Sequence, residues 1–312
     1  MTSARLRIGQ RRNRPIAVPA PKEVHASRGR ALRKLRWLRA CAAITPAITP
    51  AIALLLLSSV AHAMCGNDGA GFDAWLAQFR QRAVAQGISP AAVSAALAGV
   101  TYDATVVRLD RSQKSFKLSF EEFYARRVGS GLMRRGQALM RQHQATLDRI
   151  EQHFGVPGPI LIAIWGLETN YGADSSGKYS IIRSVATLAY DCRRSEFFTG
   201  HLLDALRILD RGDLTLAQLR GGWAGEIGHT QFLPSGYFKY AVDFDGDGRR
   251  DLERSVPDML ASTANFLKGN GWQAGQNWEP GSANYAVLRE WNRAEVYQRT
   301  IAVMAMKLRE GP

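Results

Sequence analysis

The chain has 312 residues, of which 46% are hydrophobic and 22% are charged. This is the composition of an ordinary globular protein, and the length suits one large domain or two small ones. The formal net charge is +14, but residues 1–63 contain 12 of the 41 Lys and Arg residues and only one of the 27 acidic residues. The rest of the chain therefore carries a net charge of only +3, which argues against nucleic acid as a partner.

The N-terminal segment has the pattern of an export signal. A basic stretch at 30–39 precedes an uncharged run at 41–60, and Ala61-His62-Ala63 has the small residues of a cleavage site. We predict that residues 1–63 are a cleaved signal and that no stable membrane span remains after cleavage. The alternative is an uncleaved membrane anchor, since about 20 uncharged residues can just cross a bilayer. The two prolines within the run disfavour this alternative.

Signal cleavage would remove Cys41 and leave two cysteines, Cys65 and Cys192. In an oxidising compartment these two could form a disulfide that links the N-terminus of the mature chain to its core. The alternative is a pair of free thiols. Sequence spacing alone leaves both possibilities open.

Helical periodicity runs through nearly the whole chain after residue 64, and no strand alternation persists for more than a few residues. Ser89 and Pro90 fit the N-cap and first turn of one helix, and Pro159 starts the most apolar one. Helices are predicted at 72–86, 90–97, 120–128, 132–154, 160–169, 196–211, 258–269 and 294–309. The expected fold class is mostly α, with an N-terminal helical lobe at 64–150 that braces a core at 151–312.

Glu168 is the single ionisable residue of the apolar helix predicted at 160–169. The helix dipole disfavours a carboxylate at the C-terminal end of a helix, and apolar neighbours such as Trp165 and Leu167 disfavour its charge further. Both effects raise the pKa, as a general acid that works near neutral pH requires. The alternative is an ordinary helix-end Glu that faces solvent or pairs with an Arg, and this segment alone leaves both open.

A Gly-rich segment at 221–237 contains five glycines together with Trp223, Gln231 and Tyr237. Glycines let the backbone approach a ligand closely. Amide and aromatic side chains suit sugars, because they offer hydrogen bonds and flat apolar faces. The segment is therefore a candidate cleft wall, although a plain Gly-rich turn would have the same composition.

Five stretches of the chain together resemble the lytic murein transglycosylases of the B type (glycoside hydrolase family 103). They are AIWGLETNYG (163–172), ATLAYDCRR (186–194), GEIGHTQFLPS (225–235), YAVDFDGDG (240–248) and WNRAEVY (291–297). The resemblance implies a lysozyme-like helical catalytic core at 151–312 that acts on peptidoglycan glycan strands in the periplasm or cell envelope of a bacterium. The resemblance also implies that the activity requires no cofactor. In this setting, proteins of cell-wall synthesis or remodelling are expected as further partners.

The resemblance also implies roles for individual residues. The family's catalytic acid corresponds to Glu168, and its substrate-contacting glutamine corresponds to Gln231. Its C-terminal asparagine and tyrosine correspond to Asn292 and Tyr297. Further substrate contacts are expected at Tyr171, Trp223, Tyr237, Arg193 and Arg194.

The implied reaction needs only one carboxyl group. Glu168 protonates the oxygen that links N-acetylmuramic acid to N-acetylglucosamine. As a carboxylate it then takes the proton of the sugar's own 6-hydroxyl, which closes a 1,6-anhydro ring. Ordinary glycosidases use a pair of acids instead. Glu226 is the nearest candidate for a second acid, so the alternative is a muramidase that hydrolyses the same bond.

Three positions depart from the family pattern. Gly222 stands where the family often has a serine near the catalytic acid, so a group that orients Glu168 must come from elsewhere, such as a water or the hydroxyl of Thr169. Phe123 and Phe197 stand where relatives have tyrosine, which keeps the ring and loses the hydroxyl. A further alternative is therefore a catalytically weakened envelope protein that only binds peptidoglycan.

The stretch 243–254 has the carboxylate spacing of an EF-hand calcium loop. Acidic residues occupy loop positions 1, 3, 5 and 9 and a glycine occupies position 6, but position 12 is Arg254 instead of a bidentate Glu. The spacing makes this stretch a candidate for a weak calcium site, and a loop that is closed by Asx turns without metal is the other interpretation. The predicted ligands are Asp243, Asp245, Asp247, the backbone carbonyl of Arg249, and Asp251.

Overall fold

The computed structural model describes residues 65–113, 118–175 and 177–311, so the predicted export signal at 1–63 lies outside the described residues. In the described part of the chain, the regular structure consists of thirteen α-helices and one pair of short antiparallel strands. The helices are α1 (Phe72–Ala85), α2 (Pro90–Leu97), α3 (Ala104–Arg111), α4 (Phe120–Arg127), α5 (Ser130–Gln142), α6 (Gln144–Phe154), α7 (Gly158–Thr169), α8 (Ile181–Tyr190), α9 (Ser195–Asp210), α10 (Pro234–Tyr240), α11 (Val256–Gly269), α12 (Ala283–Trp291) and α13 (Glu295–Glu310). The strands are β1 (Tyr179–Ser180) and β2 (Arg220–Gly221). The predicted mostly α fold class is confirmed.

The most apolar helix, α7, lies in the centre of the core. Every residue from 160 to 167 is buried, because α5, α6, α11 and α13 pack around the helix. Pro159 lies in its first turn, and Asn170 ends it in the left-handed conformation with φ 53°. Glu168 therefore lies in the last turn of a helix whose position is fixed by packing on several sides.

Helices from the first half of the described chain pack against helices from the second half. Helices α1, α2 and α3 all contact α8, while α4 and α5 contact α13. Helices α8 and α9 pack closely against each other, and α9 also contacts α10. The described residues all belong to one compact unit, and the division into a bracing lobe and a catalytic core stays a prediction.

The disulfide expected between Cys65 and Cys192 is present. Next to it, the N–H of Gly66 donates to the carbonyl of Tyr190 at 2.8 Å, and the N–H of Cys192 donates to the carbonyl of Gly66 at 3.2 Å. The hydroxyl of Tyr190 also accepts the N–H of Gly71. The segment ahead of α1 is thus fastened to the end of α8 by one covalent bond and several hydrogen bonds.

The structure corrects the helix prediction in two respects. The single helix predicted at 132–154 is two helices, α5 and α6, which are interrupted at His143. The interruption lets α5 pack on α7 and α13 while α6 packs on α7 and α11. The prediction also missed α3, α8, α10 and α12, which are only 7 to 10 residues long, and short segments of this kind are hard to assign from sequence. Over the described ranges, no helix is both long enough and apolar enough to cross a membrane.

Candidate active site

Two side chains from the C-terminal helices hold the carboxyl group of Glu168. The indole Nε1–H of Trp291, at the end of α12, donates to Oε1 at 2.8 Å, and the hydroxyl of Tyr297, in the first turn of α13, donates to the same oxygen at 2.9 Å. Among the described residues no other hydrogen bond reaches Glu168, so Oε2 remains available to a ligand. The carboxyl is therefore oriented from one side only.

The hydroxyl of Thr169, which the sequence offered as an orienting group, has a different role. It donates to the carbonyl oxygen of His229 at 2.6 Å and accepts the N–H of Gly172 at 3.1 Å. It thus links the end of α7 to the Gly-rich segment and does not contact Glu168. Trp291 and Tyr297 therefore orient Glu168, in place of the serine that the family often has at the position of Gly222.

Burial raises the pKa of Glu168 above its ordinary value, because removal from water disfavours the carboxylate. The hydrogen bonds from Trp291 and Tyr297 and the positive charge of Arg127 lower the pKa, since all three stabilise the charged form, while the nearby Glu226 raises it. Burial is the largest of these effects, so the carboxyl group retains its proton to a higher pH than an exposed Glu. Burial and the charge of Glu168 also raise the pKa of Tyr297 well above its ordinary value, so its hydroxyl stays a donor.

Glu168 lies on the wall of a cleft of about 450 Å³. Of the predicted site residues, Gln231 and Asn292 line the same cleft, although the three come from distant parts of the sequence. A wall that combines aromatic rings with carboxyl, amide and imidazole groups suits a sugar chain. The other lining residues are Phe197, His201, Glu226, Thr230, Phe232, Leu233, Gly236, Phe266, Glu290 and Trp291.

Gln231 adopts the left-handed backbone conformation, with φ 56°, which is uncommon for a residue other than glycine. The turn is closed on both sides, because Ile227 and Phe232 exchange backbone hydrogen bonds across it. The side-chain Nε2 of Gln231 donates to the carbonyl of Gly228 at 2.8 Å. The amide is therefore held in one orientation at the cleft wall, as a residue that contacts a substrate requires.

Asn292 and Tyr297 have different positions relative to the cleft. Asn292 lines it, and its Oδ1 accepts the N–H of Ala294 at 3.0 Å. Tyr297 is only 6% exposed and packs against the ring of the buried Phe123, behind Glu168. The structure thus places Tyr297 behind the predicted acid, in a position to orient it, whereas the resemblance implied a contact with substrate.

Glu226 occupies the space next to Gly222. A Cβ atom added to Gly222 would overlap with Oε2 of Glu226, so the side chain of Glu226 in this position requires the glycine. The same Oε2 accepts the N–H of Ala224 at 2.8 Å. Burial raises the pKa of Glu226. The carboxyl group of Glu226 therefore lines the cleft as a second acid beside Glu168, next to the position where the family often has a serine.

Besides Tyr297, three aromatic residues that were predicted to contact substrate do not line this cleft. Tyr237 is fully buried and its hydroxyl donates to a backbone carbonyl, so the prediction of a sugar contact there does not fit the structure. Tyr171 is half-buried, packs edge-on against Trp165, and donates its hydroxyl to the carbonyl of Leu132. Trp223 is half-buried against the core. Sugar contacts at Tyr171 and Trp223 stay predictions.

The two predicted arginines both bind one buried carboxylate. Arg193 and Arg194 form ion pairs with Asp110, which is 2% exposed and lies in α3. The guanidinium of Arg194 also lies over the ring of Phe198. These contacts connect α3 to the start of α9 and do not place either side chain on the wall of the cleft. A contact between this arginine pair and a longer substrate stays a prediction.

Four carboxylates cluster around the loop after α10, with one oxygen of each within 4.8 Å of the others. They are Asp243, Asp245, Asp247 and Asp258. Asp258, in the first turn of α11, is fully buried and accepts backbone N–H groups from three loop residues, Phe244, Asp245 and Asp251. The predicted ligand Asp251 is not in the cluster, and its carboxylate accepts the N–H groups of the two residues at 253 and 254. The sequence pattern missed Asp258 because this residue lies beyond the twelve-residue loop.

Residues 71–283 match the family model of the transglycosylase SLT domain. This match covers more than half of the chain, so the protein belongs to that family. The resemblance to lytic murein transglycosylases that the sequence motifs carry is thereby confirmed.

Individual relatives match different shares of the chain. The membrane-bound lytic murein transglycosylase B of Escherichia coli (strain K12) is 41% identical over 142 residues, which are 45% of this chain and 38% of that protein. The match thus spans less than half the length of this relative. SltB3 of Pseudomonas aeruginosa in complex with NAG-NAM-pentapeptide has a TM-score of 0.72 and 33% identity, over 78% of this chain and 81% of that chain. The Escherichia coli lytic transglycosylase Slt35 in complex with calcium, with a TM-score of 0.67 and 24% identity over 79% of this chain and 96% of that chain, has the same fold.

Proposed function

We propose that the protein is a lytic transglycosylase that cleaves the bond between N-acetylmuramic acid and N-acetylglucosamine in peptidoglycan and leaves 1,6-anhydromuramic acid ends. The observation that carries this proposal is the half-buried carboxyl of Glu168, held through Oε1 by two donors on a cleft that Gln231 and Asn292 also line. Family membership supports it, as does the likeness to SltB3, which was solved with NAG-NAM-pentapeptide and with NAG-anhNAM-pentapeptide.

The reaction follows from one carboxyl that acts first as acid and then as base. Glu168 donates its proton to the glycosidic oxygen, and the bond from that oxygen to C1 of the muramic acid breaks. The resulting carboxylate is stabilised by the two hydrogen bonds that Trp291 and Tyr297 already make to Oε1. It then accepts the proton of the 6-hydroxyl while O6 bonds to C1. Glu168 ends protonated as it began, and no cofactor takes part.

Hydrolysis of the same bond is the second candidate reaction, and the position of Glu226 in the cleft is the observation that favours it. A muramidase would use this second carboxyl to activate a water. A third candidate, a weakened protein that only binds peptidoglycan, was motivated by Gly222. The hydrogen bonds of Trp291 and Tyr297 to Glu168 argue against it, because they provide the orientation that the absent serine would have supplied.

Digestion of purified sacculi separates the three candidates. We expect the wild-type protein to release muropeptides that are lighter by one water than the hydrolytic products, as measured by mass spectrometry. The Glu168→Gln variant should bind sacculi and release nothing, because the amide cannot donate a proton to the leaving oxygen. Reducing ends in place of anhydro ends would establish hydrolysis, and equal release by wild type and variant would exclude Glu168 as the acid.

We further propose where the reaction takes place and which partners the protein has. Glycan strands of peptidoglycan are the macromolecular partner, and the periplasm or cell envelope is the location that the predicted export signal implies. Proteins of cell-wall synthesis or remodelling are the proposed further partners. Immunolocalisation after cell fractionation tests the location, since retention of the protein in the cytosol would contradict export.

We also propose that the carboxylate cluster of Asp243, Asp245, Asp247 and Asp258 binds calcium weakly. Oxygen ligands at this spacing suit calcium, and Arg254 in place of a bidentate Glu lowers the affinity. Calcium should raise the melting temperature of the wild type and not that of Asp243→Asn. The Asp251→Asn variant is the matched control, because Asp251 lies outside the cluster. A calcium-dependent shift lost in Asp251→Asn and kept in Asp243→Asn would contradict the assignment.

A further inference from the structure

The imidazole of His201, in α9, is buried in the cleft wall with one nitrogen satisfied and one without a partner. Its Nδ1 lies 2.8 Å from the hydroxyl of Ser235 and accepts the backbone N–H of Ser235 at 3.3 Å. Within the described part of the chain, Nε2 has no hydrogen-bond partner, and the residue is only 8% exposed. A buried polar atom without a partner is rare in folded proteins and usually indicates a missing ligand or water.

The contacts of His201 determine which nitrogen carries the proton. A backbone N–H can only donate, so Nδ1 accepts it and holds no proton of its own. Burial lowers the pKa of His201 to about 4, so the ring is neutral in near-neutral solution and its one proton is on Nε2. The unpartnered atom is therefore a donor, and the bond to Ser235 fixes the plane in which this donor points.

The surroundings of His201 combine a polar donor with an apolar surface. His201 lines the same cleft as Glu168, Gln231 and Phe197. The ring of Phe197 lies perpendicular to the imidazole, with 4.4 Å between the ring centres, and is 49% exposed. An exposed phenyl ring beside an unpaired N–H suits a ligand group with both a carbonyl oxygen and a methyl group. Amide carbonyls accept hydrogen bonds strongly, whereas a sugar hydroxyl offers no methyl.

We propose that Nε2–H of His201 donates to the carbonyl oxygen of a sugar acetamido group and that Phe197 packs against the methyl of that group. This inference rests on the proposed function, because it takes its ligand from the glycan strand. It assigns His201 to substrate binding and not to the proton transfer that Glu168 carries out. Neither the sequence motifs nor the family resemblance assigned this residue a role.

Two substitutions of His201 separate substrate binding from a purely structural role. The side chain of Asn places an amide oxygen where Nδ1 lies, so His201→Asn keeps an acceptor for Ser235 and loses the donor at the position of Nε2. The side chain of Gln places its amide nitrogen where Nε2 lies, so His201→Gln keeps the donor. Both variants are made in the Glu168→Gln background, which blocks turnover. The probe is a tetrasaccharide of alternating N-acetylglucosamine and N-acetylmuramic acid, and its Kd is measured by calorimetry.

We expect His201→Asn to weaken binding of the tetrasaccharide about five- to tenfold, the loss typical of one neutral hydrogen bond. His201→Gln should bind within about twofold of the Glu168→Gln parent. The opposite ranking would overturn the proposal: if His201 only anchors Ser235, His201→Asn binds normally, while His201→Gln has a lower melting temperature. Binding is measured without cleavage, so this result is independent of whether the sacculus digest yields anhydro or reducing ends.

A chemically altered probe tests the acetamido group itself. With an N-deacetylated tetrasaccharide, which lacks both the carbonyl and the methyl group, His201→Asn and its parent should bind equally. A difference in Kd that persists with this probe would overturn the assignment to the acetamido group. Failure of the Glu168→Gln parent to bind either probe would overturn the inference, whereas the sacculus digest with the wild type still decides the proposed function.

Discussion

Tyr297 is, with Trp291, one of the two residues whose hydrogen bonds lower the pKa of Glu168. Its hydroxyl donates to Oε1 and stabilises the charged form, so removal of the hydroxyl raises the pKa of Glu168. In Tyr297→Phe the acid stays protonated to a higher pH, and the alkaline limb of the rate profile moves to higher pH. We also expect kcat to fall about ten- to a hundredfold, because the carboxylate formed during the reaction loses a hydrogen bond to a charged group.

The pH profile of Tyr297→Phe is measured on soluble glycan fragments and compared with that of Tyr285→Phe. Tyr285 lies in α12 but makes no hydrogen bond to Glu168, so its variant should retain the wild-type profile. An alkaline limb that stays in place in Tyr297→Phe would mean that Tyr297 supports the fold without acting on the acid.

Glu226 acts on the same carboxyl in the opposite direction. Its negative charge disfavours a second charge nearby and raises the pKa of Glu168. Replacement by the neutral amide in Glu226→Gln lowers that pKa, so the alkaline limb of the rate profile moves to lower pH. Glu290→Gln is the control, because Glu290 lines the cleft without being among the groups that shift Glu168. Loss of all activity in Glu226→Gln would point instead to the two-acid hydrolytic mechanism.

The proposed catalytic acid is easier to recognise in the sequence than the residues that hold it. Glu168 stands out because it is the single charge in an apolar helix, and Gln231 and Asn292 stand out through their motifs. The hydrogen bond from Trp291 could not be predicted, because it joins residues 123 positions apart whose approach depends on how α7 packs against the C-terminal helices. The contact between Gly222 and Glu226 is local, but it becomes evident only once the turn geometry is known.

At the scale of elements, the Gly-rich segment tolerates a side chain at one of its first two glycines and not at the other. Gly221 lies in β2, and a Cβ there would overlap with the backbone carbonyl oxygen of Glu226, which cannot move away without breaking the turn. A Cβ on Gly222 meets the end of the Glu226 side chain, which has rotatable bonds. We expect Gly221→Ala to lower the free energy of unfolding by about 3 kcal/mol or more and Gly222→Ala by about 1 kcal/mol.

Urea denaturation measures both values, and a double variant supplies the control. Once the Glu226 side chain is removed, alanine at position 222 has nothing to overlap with. Gly222→Ala/Glu226→Ala should therefore have the same free energy of unfolding as Glu226→Ala. The same removal should not rescue Gly221→Ala, because the backbone carbonyl remains. Equal destabilisation by the two glycine substitutions would contradict this account of the turn.

Helix existence was predictable where a segment has an amphipathic period or a clear start signal. The Ser89 hydroxyl accepts the N–H of Ala92 at the start of α2, as the Ser-Pro pair indicated. Helix α8 was missed because it is only ten residues long and rich in β-branched residues, which are also typical of a buried strand. The interruption at His143 has no Gly or Pro to announce it, and it lets α5 contact α13 and α6 contact α11 while both contact α7.

At the scale of the whole molecule, the active site depends on helices that do not carry site residues. The helices that do are α7 and α9 to α13, together with the Gly-rich segment. Helices α1 to α3 pack on α8, which in turn packs on α9, while α4 and α5 pack on α13. The N-terminal helices thus contact, directly or through α8, the helices that carry Glu168, Tyr297 and His201, and their role as a bracing lobe stays a prediction.

The disulfide between Cys65 and Cys192 contributes to this bracing, because it joins the segment ahead of α1 to the end of α8 across 127 residues of sequence. A crosslink over so long a loop restricts the unfolded chain, so Cys65→Ser/Cys192→Ser should lower the free energy of unfolding by about 2–4 kcal/mol. Neither cysteine lines the cleft with Glu168, so activity at 25 °C should stay close to that of the wild type. Urea denaturation with and without a reductant measures the effect. The reductant should destabilise the wild type to the level of the double variant and leave the variant unchanged, whereas an unaltered wild-type transition would show that the link adds nothing to stability.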